Sequence, residues 1–248
     1  LLTFRQTWAF FVGKFMTDPI WWFFLFWLPS FLAGENARKA KDFMTAFPAD
    51  VNTLKAHEFL TANPGYVGSL ADIPGVHFPG VISWPIAVAL IYTISTFGSI
   101  FGGWLPKKFI NSGMDANKAR KLAMFIFALL PLSVLFASRL GAINTWFAVA
   151  TIAIACAAHQ AWSANIFTTV SDMFPKKAVA SVTGIGGMAG AVGGIVIARA
   201  AGLLLDHYTK MHHVEIGYGI LFVVCGSAYI TAWVLMHLLV PKFKKIVI

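Results

Sequence analysis

Residues 13–32 read GKFMTDPIWWFFLFWLPSFL, an apolar run of bilayer length that holds Lys14, Asp18 and Pro19. About 20 apolar residues in a helix cross the roughly 30 Å of hydrocarbon in a membrane. An ionisable group near the centre of such a helix costs about 2.5–3.5 kcal/mol, so it pairs with another group or lines an aqueous cavity. Proline adds to the burden by removing one backbone donor and freeing a carbonyl one turn earlier. The run is therefore read as a membrane helix whose middle does something other than span.

Five more apolar runs follow, giving spans near 8–32, 82–105, 122–138, 144–171, 179–205 and 216–240. They are continuous, without the short alternating segments of a barrel, and helices alone satisfy such backbone inside lipid. The fold class is all-α, a polytopic membrane helix bundle with six transmembrane helices. Composition agrees: 58% of the 248 residues are hydrophobic and 12% charged, against about 25% charged in ordinary soluble domains. The mean hydropathy is +0.73.

The formal net charge of +9 does not imply nucleic acid, because the basic residues fall in short clusters between the apolar runs. One set of connections carries Arg5, Lys107, Lys108, Lys118, Arg120, Lys121, Lys176, Lys177, Lys242, Lys244 and Lys245. The alternate set holds Arg38, Lys39, Lys41, Lys55, Arg139 and Lys210 beside seven of the ten acids. The positive-inside rule makes the first set, and with it both termini, cytoplasmic. Residues 33–81 form a long non-cytoplasmic loop, whose start, GENARKAKDFMTAF, suits an amphipathic surface helix and whose remainder reads as irregular. A lid over an external vestibule is one role for it, and an insertion without mechanistic weight is the other. Cys156 and Cys225 lie inside apolar runs and are expected as buried free thiols. The chain opens at Leu1 without a Met or a signal-peptide pattern, and is expected to be a piece whose beginning is missing.

Three stretches carry a resemblance to a known family: RQTWAFFVGKFMTDPIWWFFLFWLP (5–29), HQAWSANIFTTVSDMFPKKAVASVTGIGGMAGAVGG (159–194), and the weaker GSIFGGWLPKKF…NKARK (98–121). With six spans and inside termini, they resemble the C-terminal half of a major facilitator superfamily transporter, in the anion:cation symporter branch and among its bacterial hexuronate transporters. The resemblance implies secondary uptake of a sugar acid such as glucuronate or galacturonate by alternating access across a bacterial inner membrane. It implies no cofactor beyond a coupling ion, a proton with sodium as the alternative. It also implies an N-terminal six-helix half as partner, alongside the lipid bilayer and the small-molecule substrate. One motif departs from the family, since Gly103-Trp104-Leu105 is followed by Pro106 and Lys107 where an Asp is usual. Another organic anion (an aldonate, glucarate or an aromatic acid) and a truncated or structural subunit without transport activity are the alternatives.

Charges inside the spans reduce to Lys14, Asp18 and Arg199. Lys14 and Asp18 stand at i and i+4, within pairing reach, and Trp21 and Trp22 follow on the same side. A cation for a carboxylate, a carboxylate for hydroxyls and indoles for a ring face suit a sugar acid. A snorkelling Lys14 merely neutralised by Asp18 is the alternative. The fourth span holds His159, Gln160, Trp162, Ser163 and Asn165, a polar patch whose donors and acceptors match hydroxyls, with Asn165 pointing elsewhere, towards a neighbouring helix, and interhelical bonding as the alternative. Tyr92 is a lone polar aromatic in the second span, read as a further contact or as packing. In the fifth span Gly186, Gly190 and Gly194 form a small-residue ridge for close helix packing, which could also slide against the absent half. Arg199 is expected to snorkel outward, where Asp206 could meet it. His207, His212 and His213 match no metal-ligand spacing. A membrane-embedded enzyme is not expected, because the spans offer one Asp, no Glu and two dispersed His. No phosphate-cradling glycine loop is present for ATP-driven pumping.

Overall fold

The computed structural model describes residues 1–246 and is helical throughout, with no strand among the described residues. In chain order the elements are α1 (Arg5–Ala46), α2 (Val51–Ala62), a 3-10 turn at Leu70–Asp72, α3 (Trp84–Asn111) and α4 (Ala116–Leu129). A 3-10 stretch, Leu130–Phe136, joins α4 to α5 (Ala137–Ile143), and α6 (Thr145–Met173), α7 (Lys176–Lys210) and α8 (Val214–Leu239) complete the chain. Five segments are long and apolar enough to cross a membrane: Trp84–Asn111, Ala116–Ile143, Thr145–Met173, Lys176–Lys210 and Val214–Leu239. The apolar part of α1 is diluted by Lys14, Asp18, Pro19, Pro29 and its tryptophans, and does not reach that hydropathy.

Two boundaries differ from the sequence reading. The run at 122–138 is not one regular helix: Pro131 has no N–H to give the preceding turn, and the backbone tightens into 3-10 geometry around it. Helix α1 does not stop near residue 32 but runs unbroken through Ala46, despite Pro19 and Pro29. At 1.5 Å per residue its 42 residues measure about 63 Å, roughly twice the thickness of the hydrocarbon. The sequence GENARKAKDFMTA continues it because it contains good helix formers and no proline.

The projecting end of α1 is the spine of a small folded cap. Ala40, Ala56, Ile73, Val76 and Phe78 are buried together, with Phe43, Phe59 and Leu60 against them. Much of the stretch read as irregular thus packs around α2, whose first turn Asp50 caps by accepting from the Asn52 N–H at 2.8 Å. The cap is tied down by Asn36, whose amide donates to Ile82 O (2.7 Å) and accepts from Ile82 N (3.2 Å). Thr145 Oγ1 adds a bond to Gly80 O at 3.0 Å.

The helices pack in an internally repeated pattern. Helix α1 lies against α7 and α8, while α6 lies against α3 and the α4–α5 segment. Exchanging α1 with α6, α3 with α7 and α4–α5 with α8 turns each of these contacts into the other. Both equivalent seams are lined with glycine. On α7, Gly186 faces the Phe10 ring of α1 and Gly193 faces Phe15 O; on α3, Gly98 and Gly102 face the backbone of Ala157 and Ala161 of α6. A Cβ at Gly102 would stand 2.7 Å from Ala161 Cα, so only glycine permits this approach. The expected ridge therefore packs helices, but its partner is α1 within this chain and not a surface left bare for another domain. Its companion on α3 was not read from the sequence.

Candidate functional site

The site is assembled on the middle of α1. Pro19 cannot donate to Phe15 O, and the freed carbonyl lies against Gly193 of α7, where a Cβ would sit 2.6 Å from it. The absence of a side chain at Gly193 lets α7 come this close to the freed carbonyl, and α1 continues through Pro19 without a break. One residue earlier, Asp18 rests on Gly190, where any Cβ would overlap its carboxylate. Lys14 Nζ is 2.7 Å from Asp18 Oδ2, and the two side chains are 6% and 20% exposed. The ammonium also stands 4.4 Å from the centre of the Phe167 ring on α6. The charged pair and the glycine ridge are thus two halves of one construction.

Aromatic and polar groups from three other helices close around the next turn. Trp21 stacks on His159 of α6, with ring centres 5.0 Å apart and planes at 14°. Tyr92 of α3 meets the Trp21 edge at 5.6 Å and donates its hydroxyl to Phe24 O at 3.3 Å. His159 Nδ1 is 2.7 Å from the hydroxyl of Tyr229 on α8, which also reaches Thr17 O at 3.4 Å. Thr17 in turn bonds back to Gly13 O at 2.7 Å. Gln160 and Ser163, beside His159 on α6, are half-buried.

Of the residues singled out in the sequence, Lys14, Asp18, Trp21, Tyr92 and His159 meet at this junction. Three others do not. Trp22 turns about 100° away from Trp21, as successive helix residues must, and packs on Phe26 and over Gly194. Trp162 is fully buried in the core, edge-on to Tyr229 at 5.8 Å. Asn165 is occupied by Gly102 O (2.7 Å) and Ala161 O (2.9 Å), so its amide ties α6 to α3 and is not presented to a ligand. Tyr229 was missed; its only sequence signal is a lone phenol in the run GSAYITAW, beside the small hydroxyls of Ser227 and Thr231. Arg199 and Asp206 are both exposed and form no ion pair among the described residues. His213 pairs with Glu215 at 3.1 Å, and no group of three potential metal ligands occurs among the described residues. Cys156 and Cys225 are buried and free.

No family model matches the chain. It is similar to the proteins named "Hexuronate transporter" of Escherichia coli strain K12 and of Escherichia coli O157:H7, at 24% identity over 204 residues in each case. The match covers 82% of this chain but 37% of each relative, so the chain corresponds to well under half of their length. Five apolar helices and this distant likeness together mark a multi-pass membrane protein and support a transporter of that type.

Proposed function

We propose that the chain is the C-terminal six-helix half of a major facilitator superfamily transporter of the anion:cation symporter branch, with α1 as the sixth crossing. Its substrate would be a hexuronate, glucuronate or galacturonate, taken up with protons. The repeated packing of α1, α3 and α4–α5 against α6, α7 and α8 supports the fold assignment, because nested three-helix repeats build each half of such transporters. The observation that carries the function is the Lys14–Asp18 pair, sequestered where α1 meets α6 and α7 beside the Trp21–His159 stack.

A mechanism follows from charge balance. The resting pair is neutral, which is what a low-dielectric site tolerates. Adding a sugar-acid carboxylate alone would leave one negative charge too many. A proton on Asp18 releases the Lys14 ammonium to the incoming carboxylate, and the site is again neutral. Proton and anion therefore favour each other's binding without any further group. Trp21 would face the sugar ring, and Tyr92, Gln160 and Ser163 would serve its hydroxyls. The other half closes the second wall, and rocking of the two halves around the site exposes it alternately to each side.

The test is uptake of labelled glucuronate and galacturonate into proteoliposomes containing the longer gene product, with an imposed inward proton gradient. Saturable, gradient-dependent uptake that Asp18→Asn reduces by at least tenfold is expected. Absence of uptake of both sugar acids by correctly inserted protein would overturn the substrate assignment, and gradient-independent uptake would overturn the coupling.

A further inference from the structure

The basic end of the bundle carries a second feature, separate from the Lys14–Asp18 site. Between the start of α4 and the end of α8 lies a lateral groove of about 390 Å³, lined by Asn117, Lys118, Lys121, Phe125, Trp233 and Lys242 among others. Its floor is rigid. Lys121 Nζ donates to Val240 O (2.5 Å) and Pro241 O (2.7 Å), and Trp233 Nε1 donates to Lys121 O at 3.0 Å. Trp233 stacks on His237 at 5.1 Å and 13° and touches Phe125 at 4.8 Å. The segment after α8 is strapped across this end, with Phe243 N bonded to Asn117 Oδ1 at 2.9 Å and Ile246 N to Met173 O at 2.9 Å.

The strap alternates. Phe243 and Ile246 turn inward against the core, while Lys242, Lys244 and Lys245 turn outward. Only two acids lie at this end: Asp172 is taken by Arg120, and Asp115 caps α4 by accepting from Lys118 N at 3.2 Å. Lys118, Lys121 and Lys242 have no carboxylate partner among the described residues. Three cations thus surround a groove whose outer wall is apolar and lies on membrane-crossing helices, with a tryptophan near the helix end. That combination of cationic base, interfacial indole and open acyl-facing side suits one ligand class.

We infer that the groove between α4 and α8 binds the head group of an anionic phospholipid, its phosphate on Lys118 and Lys242 and its chains along Phe125 and Leu122. A free phosphate would use the lysines but gain nothing from the apolar wall. The inference rests on the membrane-crossing helices and not on the transport reading, so either can fail alone.

The full chain, purified in a mild detergent, would be titrated with phosphatidylglycerol or phosphatidylcholine and lipid retention followed by native mass spectrometry. Phosphatidylglycerol is expected to be retained at about tenfold lower concentration than phosphatidylcholine. K118Q/K242Q should lose that preference, while K107Q/K108Q, which removes the same charge elsewhere on this end, should keep it. Equal retention of the two lipids, or equal loss in both variants, overturns the proposal. Displacement by inorganic phosphate at the same concentration as the lipid also overturns it, making the site one for free phosphate. Should K118Q/K242Q not fold, quenching of Trp233 by phosphatidylglycerol with brominated chains, taken as native minus W233F, gives the same answer. A difference of zero refutes the site.

Discussion

Replacing Asp18 by Asn keeps the shape of the side chain and removes its charge, leaving the Lys14 ammonium 6% exposed and without a counter-ion. Breaking a buried pair by removing one partner costs about 3–5 kcal/mol. The Phe167 ring, 4.4 Å from the ammonium, offsets about 1–2 kcal/mol of that. D18N should therefore lose about 1–4 kcal/mol of stability. Removing both charges in K14M/D18N takes the stranded cation away, and the loss should shrink to about 1 kcal/mol or less. The single variant K14M should fall between, because an unpaired Asp18 can take up a proton. The assay is SDS-driven equilibrium unfolding in mixed micelles, followed by helical circular dichroism, for the native chain and the three variants. The coupling between the two positions should come to about 2 kcal/mol. If D18N costs less than about 0.5 kcal/mol, or if K14M/D18N is less stable than D18N, the pair is not a buried unit and the argument from neutrality fails.

Other outcomes test the surroundings. Gly98→Val places a Cβ into the backbone of Ala157, which cannot yield, and should cost about 3 kcal/mol or prevent folding. Gly103→Ala, with nothing within 4 Å, should be neutral or stabilising by about 0.5–1 kcal/mol in the same unfolding assay. Asn36→Ala removes both bonds to Ile82 and should speed limited proteolysis of the 63–83 segment severalfold while the bundle persists. Tyr229→Phe strands His159 Nδ1 in the core and should cost about 1–3 kcal/mol by the same measure.

The outline of the fold was open to reading because its cause is one-dimensional. Whether a segment suits lipid depends on its own run of apolar residues, so the five segments from Trp84 to Leu239 that are long and apolar enough to cross a membrane were evident from the sequence. The breaks were not. Pro131 sits in a 3-10 stretch of its span, whereas Pro19 and Pro29 leave α1 α-helical on both sides. At Pro19 the freed Phe15 carbonyl lies against Gly193 of α7, and no rule about proline contains that fact. The cap was misread for a similar reason. Ala40, Ala56 and Phe78 are far apart in sequence, and their burial together leaves no periodic trace.

The site divides the same way. Lys14 and Asp18 announce themselves because charge in an apolar run is expensive wherever the helix packs, and their spacing of four lets them meet on any helix. Trp21 and Trp22 look alike in sequence, yet one stacks on His159 and the other rests over Gly194. In the fourth span, His159, Trp162 and Asn165 belong to one polar stretch of sequence, yet the first two meet Tyr229 of α8 and the third ties to Gly102 of α3. By itself, the sequence of this protein determined which segments enter the membrane and which charges need partners, since both follow from the free energy of moving a residue out of water. Only the tertiary structure decided which partner each charge, indole and glycine found, because that depends on how whole helix faces fit at distances of a few ångströms.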